Sequence, residues 1–145
     1  EVVEAALARP ARRGPNITFH TSLEPVPILG DASTLERAIT NLLDNAVKFS
    51  PSDGEIWVEL TSAGVLTIID SGPGVAEEDL PHIFDRFYRS DRARNTPGTG
   101  LGLAIVTHTV EAHGGSVRAG NQPGAGAKFT MRLPVLTIPE SPLSP

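Results

Sequence analysis

Apolar positions along this chain switch between a spacing of two and a spacing of three to four, and the switches fall at clusters of Pro, Gly, Ser and Asp. Ile17 to Ser22 alternates as a half-buried strand does, and Pro25 and Pro27 end it. Asp31 then offers an N-cap to a long helix over Ala32 to Phe49. At about 100° per residue, Leu35, Ile39, Leu42, Ala46 and Phe49 fall on one arc of that helix. Ser50-Pro51-Ser52-Asp53-Gly54 stops it, and Ile56 to Thr61 and Val65 to Ile69 are β-rich runs around Ala63-Gly64, which reads as a hairpin. From Ser71 to Gly100 the chain is mostly turn-formers and charge, with a short helical piece predicted around Glu77 to Phe87. Leu101 to His113 is helical again, closed by Gly114-Gly115, and Ser116 to Gly120 with Ala127 to Leu133 makes a final strand pair.

The two ends read differently. Val2 to Arg13 has a helical pattern that looks like the trailing end of something upstream, and the proline-rich VLTIPESPLSP reads as a disordered tail. The organisation expected is therefore an upstream linker or helix end over 1–14, one domain over 15–134 and a tail over 135–145. Strands and helices without strict βαβ alternation predict an α/β fold, a two-layer sandwich of a mixed β-sheet covered on one face by helices. Fold class alone does not give function.

Composition narrows the chemistry. With 145 residues and 39% hydrophobic side chains, the chain can build one ordinary core. No run approaches the roughly 18 to 20 apolar residues of a membrane span, and no secretory h-region opens the sequence, so no membrane contact and a cytoplasmic location are expected. The absence of cysteine removes disulfide and thiolate chemistry. A formal net charge of −5 argues against sequence-independent nucleic-acid binding, which depends on neutralising phosphates with Lys and Arg. A small basic cluster could still serve a small anionic ligand.

Three constellations carry chemistry. In NLLDNAVKFS (41–50), Asn41, Asn45 and Lys48 cluster at the edge of the apolar arc. Asn is a poor helix-interior residue because its amide competes with the backbone, so two of them four apart need a reason. A solvated helix flank is one reading. A polar ledge is the other, where an amide oxygen can join a Mg²⁺ shell and Lys48 can face phosphate. Asp70-Ser71-Gly72-Pro73-Gly74 directly follows an apolar strand. Its carboxylate is placed to accept from a ring amine, although a tight turn with a self-capping Asp explains the same five residues. In TPGTGLGLAIV (96–106), Gly98, Gly100 and Gly102 remove Cβ atoms just before a helix, where backbone N–H groups and the positive helix end can bind phosphate. A flexible linker is the plainer reading, but linkers seldom interleave leucines with glycines. The segment is neither a G-x-x-x-x-G-K-S/T loop nor a G-x-G-x-x-G turn, since Leu103 stands at the third glycine's place. Between the last two lies FDRFYRSDRAR, whose Arg86, Arg89, Arg92 and Arg94 concentrate positive charge; they suit either solvent or a terminal phosphate.

In this order and spacing the four segments resemble the signature boxes of the ATP-binding catalytic domain of sensor histidine kinases, within the gyrase, Hsp90, histidine kinase and MutL superfamily. The resemblance covers about Gly30 to Leu133. It implies a Bergerat-type sandwich that holds ATP and Mg²⁺ between helices and sheet under a lid over about 75–99. By motif position it makes Asn45 the metal ligand, Asn41 and Lys48 phosphate-side contacts, and Asp70 the acceptor for the adenine amine. Phe49 stands where Tyr is often found, which keeps stacking near the base and loses any hydroxyl contact. Gly72 and Gly74 would approach the base, Gly98, Thr99, Gly100, Leu101 and Gly102 would line the phosphates, and Arg89 and Arg94 would be the lid arginines.

One departure bears on mechanism. Where gyrase-like and Hsp90-like members carry a Glu that activates water, this chain has Asn41, and a neutral amide cannot be a general base. Transfer to an imidazole supplied by another domain then fits better than hydrolysis. None of His20, His82, His108 and His113 has the H-E-x-x-T/S-P context of the family's acceptor. The resemblance thus implies a missing dimerisation and histidine phosphoacceptor domain, a response regulator reached through a longer, membrane-anchored protein, and kinase activity that needs the acceptor. A serine-directed anti-sigma-factor kinase shares the boxes, and a non-enzymatic nucleotide-sensing module would bind ATP and transfer nothing.

Overall fold

The computed structural model describes residues 17–28, 30–51, 53–85 and 102–135. The N-terminal helical pattern, the C-terminal tail from residue 136 and the candidates Arg89, Arg94, Gly98, Thr99, Gly100 and Leu101 lie outside them.

The described elements run β1 (Thr18–Leu23), α1 (Ala32–Phe49), β2 (Glu55–Leu60), β3 (Val65–Ile69), α2 (Gly102–Ala112), β4 (Ser116–Asn121) and β5 (Ala127–Arg132). The strands form one five-stranded sheet in the order β1-β2-β3-β5-β4. β1 and β2 are parallel, with Phe19 opposite Ile56, and α1 makes the crossover between them. The remaining pairs are antiparallel, with Ile68 between Val58 and Phe129. The expected mixed sheet is thus present, and each predicted strand differs from the observed one by a residue or so at its ends.

α1 begins where Asp31 marks it. Asp31 is extended (φ −91°, ψ 111°), and its Oδ1 accepts from the Ser33 N–H at 2.9 Å. The helix ends at Ser50, whose N–H donates to the carbonyls of Ala46 and Val47, and Pro51 follows. Leu35, Ile39, Leu42 and Ala46 of the predicted arc are buried, and so are Ala38 and Leu43. The buried stripe is wider than a single arc because α1 packs against both the sheet and α2. Phe49, at the last turn, is only half-buried. The inner face of the sheet supplies Ile56, Val58, Leu66, Ile68, Ala127, Phe129 and Met131, and α2 supplies Val106 and Val110.

The short helix expected around Glu77 to Phe87 is not formed over its described part, where successive turns run instead. Asp79, His82 and Asp85 each donate to the carbonyl three residues back, at 2.9 Å. Pro81 explains the difference: it has no N–H to give to Glu77, and its ring would crowd that carbonyl. The segment is still held, since Phe84 meets Phe129 edge-on with ring centroids 6.1 Å apart.

His113 ties the two helices together. Its Nδ1–H donates to the Thr109 carbonyl at 2.8 Å, and its Nε2 accepts the Asp31 N–H at 3.1 Å, so the C-terminal turn of α2 is joined to the N-cap of α1. The ring lies where a Cβ on Gly30 would stand.

Candidate functional site

Antiparallel pairing brings the C-terminal ends of β3 and β4 to the same edge as the start of β5, and the C-terminus of α1 reaches that edge too. Ser71 makes the junction. Its hydroxyl accepts the Glu55 N–H at 2.8 Å, while its own N–H donates to Ser50 Oγ at 3.4 Å. This junction joins the C-terminal end of α1 and the start of β2 to the loop that follows Asp70.

Asp70 is 2% exposed. Its Oδ1 accepts two backbone N–H bonds, from Gly72 at 2.9 Å and from Ala127 at 3.0 Å. Its main chain is tied as closely, with its N–H donating to the Ala127 carbonyl at 3.0 Å and its carbonyl accepting the Gly126 N–H at 2.9 Å. Oδ2 takes no bond from any described residue, so one face of a buried carboxylate keeps its accepting capacity. Burial pushes the carboxyl above its ordinary range, and the two backbone N–H bonds pull partly the other way. A self-capping turn would need only the Gly72 bond; the bond from Ala127 and the burial go beyond it.

The glycines around Asp70 leave room for backbone rather than for conformational freedom alone. A Cβ on Gly72 would collide with the Phe49 carbonyl oxygen, and one on Gly126 would overlap Asp70 Oδ1 and come within 2.7 Å of the Gly72 nitrogen and oxygen. Gly74 has φ 84°, and a Cβ there would lie 2.6 Å from Asn121 Oδ1. Asn121 accepts the Val75 N–H at 2.8 Å and donates from Nδ2 to the Val75 carbonyl at 2.9 Å. Gly126 and Asn121 were not read as functional from the sequence. The glycine ahead of a strand in PGAGAKF was a usable signal for Gly126, but nothing local marks Asn121.

Along α1, Asn41 and Asn45 are half-buried and Lys48 is exposed, with Lys48 Nζ 5.4 Å from the Phe49 ring centroid. The Asn45 amide has no side-chain hydrogen bond among the described residues. No group of three or more His, Cys, Asp or Glu among the described residues could hold a metal ion. A Mg²⁺ ion would therefore have to arrive with other oxygen donors, and a single amide oxygen is a fitting protein contribution where phosphate and water supply the rest. The helix that the glycine-rich segment leads into is described from Gly102.

A separate cavity of about 790 Å³ lies at the other end of the sheet, lined by Leu23, Val26, Leu35, Leu66, Met131 and Leu133 among others. It includes none of the predicted site residues and gathers no comparable set of polar groups.

The comparisons with known proteins agree with the geometry. Residues 30–137 match the family described as histidine kinase-, DNA gyrase B-, and HSP90-like ATPase. The signal transduction histidine-protein kinase/phosphatase MprB of Mycobacterium sp. (strain KMS) is 44% identical over 92% of this chain, and the match spans 28% of that relative's length. The solved structure of the mycobacterial sensor histidine kinase MprB superposes with a TM-score of 0.86 at 39% identity, covering 94% of this chain and 95% of that one. The ATP binding domain of PrrB from Mycobacterium tuberculosis gives a TM-score of 0.67 at 30% identity, with 94% and 93% covered. The chain thus belongs to the histidine kinase-, DNA gyrase B- and HSP90-like ATPase family, as an ATP-binding domain of the sensor histidine kinase kind.

Proposed function

We propose that this chain binds Mg²⁺-ATP and donates the γ-phosphate to a histidine on a helical dimerisation domain of a longer protein. The observation that carries the reading is Asp70, a buried carboxylate whose Oδ1 is held by two backbone N–H groups and whose Oδ2 takes no bond from any described residue. Bound Mg²⁺-ATP supplies the transferable phosphoryl group and the metal's neutralising charge. Asp70 accepts from the adenine amine, and the Asn45 amide oxygen serves as a metal ligand. Lys48 sets positive charge toward the phosphates, and Asn41 adds an amide to the same edge. By family position Arg89, Arg94 and the segment Gly98, Thr99, Gly100, Leu101 and Gly102 complete the phosphate contacts. With no acid or base at position 41, the domain positions and stabilises charge rather than activating water.

Three of the four histidines have partners within the fold, and His108 is exposed. His113 has both ring nitrogens engaged inside the fold. His20 pairs with Glu55 at 2.7 Å and stacks on Trp57, and His82 faces Asp85 at 3.2 Å. The chain spans about a quarter of the curated relatives it matches; the acceptor helices and a membrane anchor are proposed parts of a longer protein, and a response regulator is its proposed partner. Among the described residues no helix is long and apolar enough to cross a membrane.

The test is to incubate the chain with Mg²⁺-ATP, alone and with the family's helical acceptor domain. Acid-labile, base-stable phosphate is expected on the acceptor histidine only. Rapid phosphate release by the chain alone would favour a hydrolase, and label on its own histidines would sink the division of labour.

A further inference from the structure

We infer that Asn121 is a positioning residue for the nucleotide, acting through the turn Gly74–Val75 to hold the loop that frames Asp70; the inference rests on the placement of adenine at Asp70. The loop from Asp70 to Val75 is pinned at both ends by the β4–β5 hairpin. At the near end, Gly126 and Ala127 bond Asp70 through its carbonyl and through Oδ1. At the far end, Asn121 takes both polar groups of the Val75 main chain, at 2.8 and 2.9 Å, much as a neighbouring strand would.

Between the two anchors lie Ser71, Gly72, Pro73 and Gly74. Gly74 is left-handed at φ 84° and lies directly under Asn121. Asn suits the clamp because one side chain must accept from an N–H and donate to a C=O at once, which neither a carboxylate nor a hydrocarbon can do. The carboxylate itself is also held from Ala127, so losing the clamp leaves Asp70 in place and frees the far end of the loop that follows it. Nucleotide binding must then order that loop, and affinity falls by that cost.

The experiment is calorimetric titration of Asn121→Ala, Asn121→Asp, Gly74→Ala and the Asn121→Ala/Gly74→Ala double variant with ATP, ADP and adenosine. Each is read beside its thermal unfolding curve, and Asp70→Asn and Asn45→Ala serve as references. Asn121→Ala is expected to weaken all three ligands by a similar factor of about 5 to 20, because the loop serves the base end that they share. Asn45→Ala should weaken ATP far more than adenosine. Asn121→Asp keeps the acceptor for the Val75 N–H and should fall between wild type and Ala. Gly74→Ala pushes a Cβ against the same amide, so its effect and that of Asn121→Ala should be less than additive. Affinities within twofold of wild type in a folded Asn121→Ala protein, with only the melting temperature lowered, would show a merely structural amide and overturn the inference. Full additivity in the double variant would overturn the route through Gly74. If Asp70→Asn bound ATP as wild type does, the adenine placement would fail and this inference with it; loss in Asp70→Asn without loss in Asn121→Ala would sink the inference alone.

Discussion

Replacing Asp70 by Asn separates binding from stability at one atom. Asn keeps an oxygen where Oδ1 accepts from Gly72 and Ala127, at 2.9 and 3.0 Å, and puts an amide NH₂ in place of Oδ2. Adenine's amine then meets a donor instead of a charged acceptor. Losing a charge-assisted hydrogen bond of about 1.5 to 3 kcal/mol corresponds to a roughly 10- to 150-fold weaker ATP affinity. Guanine presents a carbonyl oxygen at that position, so the preference for ATP over GTP expected of the wild type should shrink or reverse. Stability should move the other way. The folded carboxyl titrates above its usual 3.8, chiefly through burial. The folded state therefore holds its proton more tightly than the unfolded state, and this group's contribution is lost as pH rises through the interval above 3.8. The neutral amide has no such loss, so at pH 7 Asp70→Asn should melt no lower than wild type. Asp70→Ala instead leaves two N–H groups without an acceptor, at about 1 to 3 kcal/mol each, or roughly 2 to 6 kcal/mol together. Calorimetric titration and thermal melts of wild type, Asn and Ala variants from pH 4 to 8 test the whole chain of reasoning. Unchanged ATP affinity in the Asn variant, or equal destabilisation by Asn and Ala, would refute it.

Three further outcomes can be checked on the same material. Asn45→Ala should abolish the Mg²⁺ dependence of ATP binding while unfolding stays cooperative, because the residue lies at the rim of the buried stripe; a Mg²⁺ dependence like that of wild type would show a solvated flank. Gly126→Ala should cost about 1 to 3 kcal/mol and weaken ATP as well, since its Cβ would enter the space of Asp70 Oδ1 and the Gly72 main chain; a neutral melt would mean the turn yields freely. His113→Ala removes the acceptor of the Asp31 N–H and the link between α1 and α2, and should lower stability by about 1 to 3 kcal/mol with adenosine affinity intact, as read from denaturant unfolding and titration.

What the sequence determined by itself is local or lies in the order of its motifs. The N-cap at Asp31, the length of α1, the β3 hairpin and the buried arc from Leu35 to Ala46 follow from capping chemistry and from spacings that repeat within one element. The family was legible because four short segments occur in one order, and Asp70 was legible because it ends an apolar strand. The Glu77 to Phe87 reading failed on a local fact that was also available, the missing N–H of Pro81. Other features had no local trace. The parallel β1–β2 pairing and the placing of β5 between β3 and β4 depend on which sheet edge each strand finds after a crossover. The bond that holds the buried Asp70 carboxylate reaches across 57 residues to Ala127, and those of Asn121 reach across 46 to Val75. His113 meets Asp31 across 82 residues. A side chain's own sequence neighbours carry no information about a backbone group that far along the chain, because such a partner exists only once the sheet has closed and water has been excluded. Hydrophobic periodicity can say which face is buried, but only the packed structure decides which buried polar groups face one another.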